Sequence, residues 1–152
     1  MRQGLIVTII GFWMVSGLTY AAAEQKPPEA LEKQYEAEKN PRKRAEIARE
    51  LMNQRLEKLR SRVSTGDMLE ESSPPLEHYR AALERLGLAV REAAHTGTSK
   101  STEVHLRNHI RELENLKISV SMMERPFLEK LLAPAIELRE EVLYSIMHPP
   151  KK

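Results

Sequence analysis

The stretch from Leu76 to Ala94, LEHYRAALERLGLAVREAA, decides the fold. Its apolar residues Leu76, Tyr79, Leu83, Leu86, Val90 and Ala93 alternate three and four apart, which draws one continuous stripe along one helix face. Glu77, Arg80, Glu84, Arg85, Arg91 and Glu92 occupy the other faces, so the stripe must be covered by other parts of the chain. Ser73–Pro74 opens this helix. Gly87 lies inside it, at a cost of about 1 kcal/mol relative to alanine, and either is tolerated or marks the close approach of another helix.

The same period recurs on both sides. Upstream, Ala45, Ala48, Met52, Leu56, Leu59 and Val63 form a stripe widened by Ile47 and Leu51, and Gly66 can take the left-handed position that closes the helix. Downstream, Ser101 or Thr102 is expected to cap a helix reaching about Val120, with Leu106, Ile110, Leu113, Leu116 and Val120 inward. The residues before it, His95 to Ser101 (HTGTSKS), read as the most flexible loop. Pro126 starts a last helix carrying Phe127, Leu128, Leu131, Leu132, Ala135, Leu138, Val142 and Ile146, with Pro134 expected to kink it. No segment alternates with period two for the length of a strand. The fold class is all-α: about four long amphipathic helices that close most simply as an antiparallel bundle, with stacked helical hairpins as the alternative.

The ends of the chain differ from this middle. Met1–Arg2–Gln3 is followed by an uncharged, mostly apolar run from Gly4 to Leu18, shorter than the roughly 20 residues that span a bilayer. Ala21 and Ala23 fit the small-x-small cleavage rule, so residues 1–23 read as a signal peptide cut before Glu24. An uncleaved anchor is the rival reading. Residues 24–152 then form one helical domain placed in the periplasm or secreted, with 24–40 and 148–152 loosely ordered and no integral membrane segment. Cysteine is absent, so neither a lipid anchor at a lipobox nor a disulfide is open to the chain, and the core must hold the fold.

Without Arg2 the charge is nearly balanced, 23 Lys and Arg against 22 Asp and Glu, which gives no argument for nucleic acid. The basic residues gather early. Between Glu24 and Thr65 stand eleven positive charges and eight negative ones. Asn40 is a good N-cap and Pro41 suits a first turn, yet Arg42, Lys43 and Arg44 follow, where the helix macrodipole disfavours cations. Either the helix begins near Pro28 and only kinks at Pro41, which makes Glu38 and Arg42 an i,i+4 pair, or an anion sits at Arg42, Lys43 and Arg44. We favour the continuous helix. Peripheral contact of this segment with an anionic envelope surface is a further possibility.

Residues that carry chemistry are few. His105 and His109 are four apart and Glu112 continues their face, a set able to hold zinc or another divalent metal. The glutamate that follows the first histidine in metalloprotease helices is replaced by Leu106, and two surface histidines beside the leucine stripe is the plainer reading. His95 ends the preceding helix and is placed to approach them. No serine stands in a nucleophile-elbow or Ser-x-x-Lys context, and no glycine-rich phosphate loop occurs. An enzyme is not expected. Met122–Met123 is an apolar turn that serves either the core or an adaptable contact, the core being the expected use.

Two resemblances accompany this reading. From Gly66–Asp67 through Tyr79, Ala82 and Leu83, about a quarter of the chain resembles a tetratricopeptide hairpin, with the small and aromatic residues in order but several residues out of spacing and no second copy. The leader, the Asn40–Arg44 run and the three long helices together resemble uncharacterised secreted helical proteins of soil bacteria, which implies no activity. The expected role is a non-catalytic interaction or structural module of the cell envelope, whose partner is another envelope protein or a second copy. A metal-binding protein and a binder of anionic surfaces are the alternatives.

Overall fold

The computed structural model describes residues 26–149 and contains five helices: α1 (Pro28–Ala37), α2 (Pro41–Ser64), α3 (Pro74–Ala93), α4 (Thr96–Ser119) and α5 (Arg125–Met147). The expected leader, residues 1–23, and residues 150–152 of the tail lie outside the described residues. No strand occurs among the described residues, and none of their helices is long and apolar enough to cross a membrane.

The long helices form two antiparallel hairpins, α2 with α3 and α4 with α5. Arg44 at the start of α2 meets Glu92 at the end of α3, and Ser99 at the start of α4 meets Ser145 at the end of α5. The hairpins lie side by side in the same direction. α2 runs parallel to α4, tied by Asn53 to His109, and α3 runs parallel to α5, tied by Arg91 to Glu141. Among the described residues α2 and α5 are not packed as neighbouring helices. The bundle is all-α and antiparallel within each hairpin, as the stripes require.

Those stripes supply the core. Leu76, Tyr79, Leu83, Leu86 and Val90 of α3 are buried, facing Leu51, Met52, Leu56 and Leu59 of α2 and Leu106, Leu113, Leu128, Leu131, Leu138 and Val142 of the second hairpin. At Gly87 the helices come close. A Cβ there would lie 3.5 Å from the Leu138 side chain. Loop residue Leu69 is also buried, outside any periodic stripe.

Three expectations change. The first is the single helix kinked at Pro41. α1 ends at Ala37, and Asn40 caps a separate α2, its side-chain oxygen accepting the Arg42 N–H at 3.0 Å. The Glu38 carboxylate accepts the Asn40 N–H instead of pairing with Arg42. The second is the loosely ordered segment 24–40, which between Pro28 and Ala37 is a docked helix. Leu31 and Tyr35 are buried, Tyr35 donates to the Arg85 carbonyl at 2.8 Å, and Glu32 pairs with the buried Arg55 at 2.9 Å and with Arg85. A thin apolar face suffices because the charged residues beside it find buried partners. The third is the loop His95–Ser101. α4 begins at Thr96, capped by His95, whose Nδ1 accepts the Gly97 N–H, and the turn before it is made by Ala94 in the left-handed region at φ 41°. Thr98, Ser99 and Thr102 then turn inward and are buried.

Candidate functional site

Where α2 runs beside α4, the seam between the hairpins carries polar side chains. On α4, Thr98, Thr102, His105 and His109 follow one another at four, three and four residues, the spacing of a core stripe. They face Arg42, Arg49 and Asn53 of the parallel α2.

His109 is the centre of this seam. It is buried, its Nδ1 lies 3.0 Å from the Tyr79 hydroxyl and its Nε2 lies 3.0 Å from the Asn53 side-chain oxygen. Asn53 Oδ1 can only accept, so Nε2 carries the proton, Nδ1 accepts from Tyr79, and the ring is neutral. Burial pushes the His109 pKa down to about 4. His105 lies one turn away with ring centroids 4.1 Å apart, and its pKa is pushed down to about 3, first by burial, then by the repulsion it meets from His109 once that ring is protonated and from Arg49. The Tyr79 hydroxyl is raised by burial.

The proposed ligands are therefore only partly assembled. Two imidazoles meet, but both nitrogens of His109 are committed to Tyr79 and Asn53, and Glu112 faces Arg60 across 4.0 Å. His95 serves as the α4 cap. Among the described residues no group of three His, Asp or Glu side chains is placed to hold a metal. His105 and His109 are seam residues, not the surface pair the sequence suggests. Tyr79 and Asn53 escaped sequence reasoning because each looks ordinary on its own helix. The signal that was present is the polar stripe at core spacing.

Of the three residues proposed to bind an anion, Arg44 is occupied. It pairs with Glu92, donates to the Tyr35 hydroxyl at 3.2 Å, and stacks on that ring with 4.6 Å to its centroid. Lys43 is exposed. Arg42 instead lines a cleft of about 220 Å³ at the open end of the seam, with Glu46, Arg49, His95, Thr98 and Ser101.

The opposite end of the molecule is built differently. The α2–α3 and α4–α5 connections are fastened by Glu124, whose carboxylate accepts the Leu69 N–H at 2.8 Å, the Ser121 N–H at 3.1 Å and the Ser121 hydroxyl at 2.6 Å. The Ser121 hydroxyl, then the Leu69 amide, hold its carboxyl below the usual range. At this end of the molecule Met68, Ile118, Met122 and Met123 are exposed by 68, 74, 73 and 79%. Met122 and Met123 are thus not core residues. No family model, no curated protein and no solved structure matches the chain.

Proposed function

We propose that the protein is a non-catalytic interaction module of the cell envelope that docks through its methionine-rich end. The carrying observation is the exposure of Met68, Met122 and Met123 on two connections fixed together by one buried carboxylate, with Ile118 exposed in the last turn of α4. Large exposed apolar residues gathered in one place are characteristic of contact surfaces. Methionine is flexible and polarizable and packs against varied partners. The Glu124 clasp presents the side chains from an ordered backbone, which lowers the entropy lost on binding. The partner is an envelope protein with an apolar surface, a second copy included. Location outside the inner membrane rests on the leader-like residues 1–23.

The test is a crosslinking pull-down from the envelope of the source organism, comparing the protein with Met122→Lys/Met123→Lys. A discrete partner, or a dimer, captured by the first and lost from the second supports the reading. A partner captured equally by both contradicts it.

A further inference from the structure

The α4–α5 hairpin turns one face to the α2–α3 hairpin and leaves the opposite face open. On α4 the exposed residues Lys100, Val104, Arg107, Arg111 and Ile118 recur at four, three, four and seven residues. That spacing draws one stripe, on the side of the helix away from His105 and His109. On α5 the exposed Glu129, Ala133, Ile136, Glu140, Tyr144 and Met147 draw a second stripe at the same spacing. It lies across the helix from Leu138, which meets α3 at Gly87. The two stripes together form the outer face of the hairpin.

This face is apolar as well as charged. Val104, Ile118, Ile136, Tyr144 and Met147 are exposed by 47, 74, 39, 63 and 67%. They make up most of the large apolar side chains left exposed outside the methionine end, as on a contact surface.

Its charge is divided between the helices. α4 carries Lys100, Arg107 and Arg111, with Glu114 at the edge, and α5 carries Glu129, Glu137 and Glu140. Among the described residues Lys100, Arg111, Glu137 and Glu140 take part in no ion pair. Arg107 shares the single Glu103 carboxylate with Arg139, and Glu129 reaches Lys117 at 3.6 Å. A cationic helix and an anionic helix side by side are self-complementary. A second copy turned about an axis parallel to the helices sets each cationic stripe on an anionic one.

We propose that the protein forms a twofold dimer through this outer face, with α4 of each copy lying antiparallel on α5 of the other. The contacts of Ser99 with Ser145 and of Glu103 with Arg139 set the register inside the hairpin, and the axis carries that register across to the second copy. Lys100 then falls within about one turn of Glu140 of the second copy, Arg111 within about one turn of its Glu129, and Val104 beside its Ile136. Each pair occurs twice. The twofold axis across the helices would lay α4 on α4 and oppose like charges. A helix of 24 residues is about 36 Å long and two side by side are about 20 Å wide, so the face offers roughly 700 Å² per copy, within the range of stable interfaces. The dimer does not rest on docking through the methionines, although the same axis points both methionine ends one way.

The experiment is sedimentation equilibrium of the protein and its charge-reversed variants, with circular dichroism to show that each keeps its helices. The wild type is expected to be a dimer. Lys100→Glu/Arg111→Glu and Glu129→Lys/Glu140→Lys are each expected to weaken self-association about 100-fold, because the twofold repeats every reversed pair. Mixing the two variants should restore a mixed dimer, since reversed α4 then meets reversed α5 and the unchanged helices meet each other. Met122→Lys/Met123→Lys should keep the dimer. A wild type that stays monomeric at every concentration, a dimer that both reversals leave intact, or variants that remain monomeric when mixed would overturn the proposal. A dimer lost only in Met122→Lys/Met123→Lys would also overturn it, while leaving the docking reading standing.

Discussion

Acidification should loosen the seam between the hairpins well before it affects the carboxylates. His105 and His109 ionise near pH 6.5 in the unfolded chain. In the folded protein their pKa values are pushed down to about 3 and about 4. Both folded values lie below the unfolded one, so between them the unfolded chain binds more protons. Stability is full above the unfolded value and falls as pH drops toward the folded ones. At pH 5 each imidazole has given up about 2 kcal/mol, and the two together about 4 kcal/mol. That is a large part of the 5–15 kcal/mol of a typical domain. The lowered carboxyls of Glu71, Glu124 and Glu141 lose their contributions only below their ordinary value of 4.5, so the window from pH 7 to 5 belongs to the histidines. Urea midpoints followed by far-ultraviolet circular dichroism across that window would measure the fall. His105→Phe keeps a planar ring in the stack and removes the unpaired Nε2. It should be neutral or stabilising at pH 7 and should halve the slope. A wild-type midpoint that is flat from pH 7 to 5, or an unchanged slope in His105→Phe, would refute the assignment of two buried neutral imidazoles.

Three further outcomes follow from single positions. Gly87→Ala should raise stability by about 1 kcal/mol in thermal denaturation, because the new Cβ meets Arg91 Nη1 at 3.4 Å and Leu138 at 3.5 Å, ordinary contact distances. A lowered melting temperature would show that the close approach leaves no room. Ala94→Gly should stabilise by up to about 1 kcal/mol by relieving the positive φ between α3 and α4. Equilibrium unfolding that places it below wild type would mean the turn is not held left-handed. Glu124→Ala strands the buried Leu69 N–H and should cost about 1–3 kcal/mol. Native-state hydrogen exchange should show faster exchange at Leu69 and Ser121, and unchanged protection there would contradict the clasp.

The helices were legible because the stripes at three and four residues are the physics of the core itself. From Leu76 to Val90 and from Ala45 to Leu59, nearly every residue expected inward is buried. What stayed hidden was decided between elements. The break before Pro41 depends on Asn40 capping α2 and Glu38 turning to the Asn40 amide, a local contest that helix propensity alone does not resolve. The docking of α1 depends on Arg55, a charged residue on α2 that only a partner such as Glu32 makes suitable for burial. The start of α4 was missed because Thr96–Ser101 is poor in helix formers, yet Thr98 and Ser99 within it are buried. At the candidate site, the His105–His109 pair was visible as a pair. Its role was set by Tyr79 and Asn53, which reach it from two other helices.

The docking claim is tested most directly by site-specific photocrosslinking in living cells, with a photoreactive side chain placed at Met123 and, as a control, at the exposed Glu84 on α3. The account predicts a discrete crosslinked species from position 123 and none from position 84. No adduct from 123, or the same adducts from both positions, would contradict it.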